Sequence, residues 1–132
     1  MKELAIVISL AVAAAACAPM MPPGPFPGSV AGTNWRVVAV NDRATPRMGE
    51  FFMRFEQVRF GAKFGCNGLG ADYVQRGNII DPGPVIGTQM ACADMSYERQ
   101  GGIVLSQDMR AIWNGPGVLR LVNRGGTIDL RR

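Results

Sequence analysis

The chain has 132 residues, 48% apolar and 18% charged, which excludes an acidic disordered tail and a multidomain enzyme and leaves one domain of about 100 residues. Its net charge of +4 is almost wholly arginine, with lysine only at positions 2 and 63, spread from Arg36 to Arg132 as solvated strand faces are, not as a nucleic-acid footprint. Histidine is absent, which removes the usual general base, the commonest nitrogen metal ligand and every Ser/His/Asp or Cys/His arrangement.

The first elements concern location. Lys2 precedes an uncharged apolar stretch, Leu4 to Ala16, too short for a membrane span of about 20 residues and of the length of a signal-peptide core. Cys17 follows Ala14, Ala15 and Ala16 directly, and small residues before a cysteine resemble the lipobox of bacterial lipoprotein precursors, with Ala14 where leucine is usual. Residues 1–16 are therefore expected to be a signal peptide and Cys17 the lipidated (palmitate-bearing) N-terminus. Ala18 rather than aspartate follows it, which points to the outer membrane, facing the periplasm. Residues 17–31 read as a lipid-anchored, Pro-rich tether, with five prolines between Ala18 and Val30 and a reach of about 30 to 40 Å at some 3.1 Å per residue.

The folded part is expected over residues 32–132, and its signals are mostly those of strands. Trp35 to Val40 places Trp35, Val37 and Ala39 on one face and Arg36, Val38 and Val40 on the other. Phe51 to Phe55 and Val58 to Phe64 read as a hairpin, and Asp72 to Gln75 with Asn78 to Ile80 as a second, ended by Pro82 and Pro84. Ala111 to Trp113, Val118 to Val122 and Thr127 to Leu130 form a C-terminal meander. Only Ser96 to Met109 looks helical, capped by Ser96, with Ile103, Leu105 and Met109 as its apolar face and Gly101 and Gly102 weakening it. The expected fold class is α+β: a curved antiparallel sheet or partly open barrel of short strands with one helix packed on it.

Between the hairpins, Gly65, Gly68 and Gly70 surround Cys66 and Asn67 and supply positions that tolerate positive φ, so a tight bend is expected, with Asn67 bonded to its backbone. A phosphate cradle is disfavoured because Tyr73 takes the third glycine place of G-x-G-x-x-G and no helix opens there. The run from Phe64 to Tyr73 resembles the G-C-N-x-x-x-G-x-Y signature of the META domain, the family of the heat-inducible HslJ-type proteins of bacteria, with the second glycine, Gly70, one place early. The family's second signature, T-x-M-A-C, is matched by Thr88, Gln89, Met90, Ala91 and Cys92. The resemblance implies a compact α+β domain found in envelope lipoproteins, with links to heat or drug stress response and no established activity.

Catalysis is not expected. Export puts Cys66 and Cys92 in an oxidising compartment, where two cysteines of a small domain pair, and a cystine sulfur is no nucleophile. Asp72, Asp81 and Asp94 lack calcium-loop spacing, so neither metal nor cofactor is expected. The leading expectation is a non-enzymatic lipoprotein held to the membrane through lipid at Cys17, with a binding or stress-protection surface for an envelope protein and no nucleic-acid partner. The alternatives are a small-ligand or enzyme-inhibitor binding protein of the periplasm, and a hydrolase or thiol enzyme using Cys66 with Asp72 or Tyr73.

Overall fold

A computed structural model describes residues 28–132. The expected signal peptide, Cys17 and the tether as far as residue 27 lie outside the described residues.

Alternation of apolar and polar residues at period two gives ten strands: β1 (Thr33–Val40), β2 (Arg43–Ala44), β3 (Phe51–Phe55), β4 (Arg59–Phe64), β5 (Gly68–Arg76), β6 (Ile79–Pro82), β7 (Ile86–Gly87), β8 (Met109–Trp113), β9 (Val118–Asn123) and β10 (Gly126–Arg131). Eight of them, in the order β1, β3, β4, β5, β6, β8, β9 and β10, pair antiparallel with their neighbours. β10 then returns to β1, from Arg131 opposite Arg36 to Ile128 opposite Val40, so the sheet is a closed barrel rather than an open curved one. The two-residue strands β2 and β7 lie on β1 and β5.

A bulge between Val37 and Ala39 shifts the β1–β10 register. The extra residue reverses the alternation, so Val40 is buried with Trp35 and Val37 while Ala39 is half-buried, contrary to the faces expected from strict alternation. The bend is also shorter than its glycines suggest: Gly65 alone of the three has positive φ (+96°), and Gly68 and Gly70 are extended residues of β5. Gly70 lies opposite Gly61, and a Cβ on it would meet the Phe60 carbonyl at 3.2 Å.

Helix α1 (Ser96–Leu105) is four residues shorter than expected, because Met109 begins β8. It closes one end of the barrel. Tyr97, Gly101, Val104 and Leu105 are buried, Tyr97 stands edge-on to Phe51 at 5.5 Å, and its hydroxyl donates to the Ala44 carbonyl at 2.6 Å. Ile103 points outward, 52% exposed, and Ser96 is not the cap; its N–H and hydroxyl donate to Asp94. Gly101 is required, since a Cβ there would lie 2.5 Å from the Phe64 ring.

The opposite end is closed by the segment leading into β1. Val30, within the stretch read as tether, is fully buried; its N–H donates to Gln75 Oε1, and Gln75 Nε2 donates to the Gly28 carbonyl, both at 2.9 Å. Beside it Trp35 and Trp113 meet edge to face at 5.6 Å. Between the two ends Met53, Phe55, Phe60, Phe64, Ile80 and Leu121 are each below 2% or at 2% exposed, so side chains fill the interior, as an eight-stranded barrel permits.

Candidate functional site

The two motif segments meet at the helix end of the barrel, and a disulfide joins them. Cys66 and Cys92 are bonded, their Cα atoms 6.2 Å apart, the first buried and the second exposed. Gly65 allows the turn into Cys66: its N–H donates to the Glu50 carbonyl, and a Cβ there would reach the Phe51 ring at 2.9 Å.

Asn67, 1% exposed, is the centre of this junction. Its Oδ1 accepts from the Met90 N–H at 2.7 Å and the Thr88 hydroxyl at 3.1 Å. Its Nδ2 donates to the Met90 carbonyl at 3.1 Å and to Glu98 Oε2 at 3.0 Å, and its backbone N–H donates to Glu98 Oε1 at 2.6 Å. The side chain thus imitates a strand partner for Met90 rather than bonding the bend's own backbone, as the sequence reading expects. Thr88 also bonds Gly68 in both directions. The side-chain polar groups of Asn67 are all engaged inside the protein, which makes it a structural rivet rather than a ligand-binding group.

Sequence reasoning missed Glu98, which falls within the expected helix without being singled out. It lies 31 residues from Asn67, and no local pattern reveals a contact closed by tertiary structure. The remaining motif residues are not gathered here. Ala91 is exposed, Gly70 is a sheet position, and Tyr73 packs on Phe55 and Phe60 with its hydroxyl donating to the Glu56 carbonyl. Burial raises the pKa of Tyr73.

The carboxylates considered for chemistry lie apart on the outside. Asp72 on β5 pairs with Arg59 at 3.2 Å and Asp81 on β6 with Arg76 at 3.0 Å. Lys63 pairs with Glu50. Among the described residues no cluster of three or more His, Cys, Asp or Glu is placed to hold a metal ion. No helix among them is long and apolar enough to cross a membrane.

A depression lies on the outer face of β8, β9, β10 and β1. It encloses about 740 Å³ and is lined by Val38, Ile112, Val118, Arg120 and Asp129 among others. Arg120 forms its polar floor, with Nε 2.7 Å from Asp129 and Nη2 2.9 Å from Asp42, and these hydrogen bonds and charges, Asp129 first, hold its pKa above the ordinary value.

These features define a small barrel with a packed interior, a helix across one end and a disulfide-riveted junction. The META domain family matches residues 28–131, and the chain belongs to that family. In fold it is similar to a protein from Burkholderia xenovorans solved by NMR, at 20% identity and a TM-score of 0.60 over 78% of this chain and 83% of that one. A second NMR structure is similar at 12% identity and a TM-score of 0.65, covering 76% and 88% of the two chains. A lipocalin-like protein from Bacteroides uniformis follows at 18% identity and a TM-score of 0.51, covering 79% and 99%. At such identities the likeness concerns the fold alone. No curated protein matches the chain.

Proposed function

We propose that the protein is a non-enzymatic lipoprotein of the bacterial envelope, anchored at Cys17, whose META domain binds partners through the outside of its barrel. The observation that carries this reading is the packed interior. A barrel that holds cargo keeps its lumen open, whereas here Met53, Phe60, Leu121 and Ile128 occupy it with at most 2% exposure. What remains for recognition is the outer surface, stiffened by barrel closure and the disulfide.

The chemical inventory supports binding without turnover. The two cysteines of the domain are bonded to each other, the outer aspartates are neutralised by arginines on the same face, and no histidine is available as a base. A second reading, a small-ligand or inhibitor module, is favoured by the depression around Ile112 and Arg120, where an apolar wall meets a charged floor.

Fractionation of cells making the intact chain or Cys17→Ser tests the anchored, non-catalytic reading. The intact chain should partition with membranes and the variant should be released or left uncut. Screening esterase, peptidase, glycosidase and phosphatase substrates should show no turnover sensitive to Asp72→Ala or Cys66→Ser. Unchanged partitioning of the variant, or turnover that either substitution abolishes, contradicts it.

A further inference from the structure

One face of the barrel gathers arginines, of which Arg36 donates to the Pro46 carbonyl at 3.1 Å. Arg36 on β1 lies directly opposite Arg131 on β10, and the cross-strand row continues to Phe52 on one side and Val118 on the other. Like charges placed opposite each other across a ladder destabilise a sheet. Arg54, on the same outer face, donates to Asn34 at 3.0 Å with its guanidinium 5.8 Å from the Phe52 ring, and Arg132 stacks over Trp35 at 4.7 Å. None of these four arginines belongs to an ion pair among the described residues. The acid on the same face of β10, Asp129, is engaged by Arg120, Glu50 before β3 is engaged by Lys63, and Glu56 lies in the turn after Arg54.

The same end receives the chain from its N-terminal side. The Gly32 N–H donates to the Phe55 carbonyl, next to Arg54, and Val30 is buried beneath. Only ten residues separate Cys17 from Gly28, a stretch that spans at most about 40 Å fully extended. A chain anchored at Cys17 therefore keeps this end close to the bilayer.

We propose that Arg36, Arg54, Arg131 and Arg132 dock the barrel on the anionic phospholipid surface of the membrane that holds Cys17. The inference rests on the anchored reading and adds an orientation to it. Guanidinium groups suit lipid phosphates through paired N–H donors, and Phe52 offers an apolar contact at headgroup level. An anion between Arg36 and Arg131 converts their repulsion into a bridge.

The test uses the intact chain purified from membranes and reconstituted into vesicles of phosphatidylcholine alone or with phosphatidylglycerol. Flotation with the neutral vesicles reports the anchor, and arginine modification by phenylglyoxal, read by mass spectrometry, reports the docking. Labelling of the four arginines should fall several-fold in the anionic vesicles and recover in high salt, while Arg99 and Arg124 label equally in both. Arg36→Gln with Arg131→Gln should restore labelling of Arg54 and Arg132, with surface attraction weakened about fivefold per arginine removed; Arg124→Gln should not. Equal labelling of the four arginines in both vesicle types, in a chain that floats with neutral vesicles, overturns the docking and leaves the anchor standing. Failure to float with neutral vesicles contradicts the anchor, while charge-dependent protection would still support the face.

Discussion

Asn67 and Glu98 are joined by two hydrogen bonds, from the backbone N–H of Asn67 at 2.6 Å and from its side-chain amide at 3.0 Å, one to each carboxylate oxygen. The pair ties the bend before β5 to the first turn of α1, both partners below 9% exposed. Removing one side leaves buried polar groups without partners, so Glu98→Ala should cost about 2 to 4 kcal/mol and Glu98→Gln, which keeps one acceptor, about half of that. Urea unfolding checks both; a Glu98→Ala midpoint equal to wild type would remove Glu98 from the rivet.

The two helical glycines should answer alanine in opposite ways. Helix propensity alone predicts a gain of up to about 1 kcal/mol at either position. Gly101 faces the Phe64 ring at 2.5 Å from a would-be Cβ, whereas Gly102 meets only Leu69, at 3.8 Å. Gly102→Ala should therefore stabilise by about 0.5 to 1 kcal/mol and Gly101→Ala should destabilise by about 1 to 3 kcal/mol. Thermal unfolding of the two variants distinguishes packing from propensity.

The Cys66–Cys92 bond closes a loop of 26 residues in sequence separation, for which loop-closure entropy suggests about 3 to 4 kcal/mol. Cys66→Ser with Cys92→Ser, or reduction of the wild type, should lower stability by that order. Counting free thiols in the denatured, unreduced domain should find neither cysteine titratable.

Two aspartates give opposite pH slopes. The Ser96 hydroxyl, then its N–H, hold the Asp94 carboxyl below the ordinary value, so this contribution is present above that value and lost as pH falls through the lowered one. Interaction with the neighbouring Asp81 side chain holds Asp108 above it, so stability falls as pH rises from the ordinary value through the raised one. Asp108→Asn should be more stable than wild type at neutral pH, and Asp94→Asn less, with both differences shrinking in acid. Parallel unfolding curves across pH for either variant would refute its assignment.

Much of the fold was legible because the strands are short and their alternation is clean. Phe51–Phe55 is matched residue for residue and the strand after Gly117 follows from turn chemistry, whereas Pro82, expected to end the second hairpin, is itself the last residue of β6, opposite Tyr73. Barrel closure was not legible, since it depends on the pairing of the first and last strands, and the bulge near Ala39 defeated a period-two reading of Val40. The disulfide followed from compartment and cysteine count alone. The Asn67–Glu98 contact did not, because a hydrogen bond across 31 residues leaves no spacing rule in the chain.

The claim that partners meet the outside of a packed barrel is tested most directly by photocrosslinking from two positions of the full chain in its native envelope. A photoreactive residue replacing exposed Ile112, in the outer depression, should give a discrete adduct, and one replacing fully buried Met53, inside the barrel, should give none. An adduct from position 53 with none from position 112, in variants that retain the wild-type melting transition, would contradict the account.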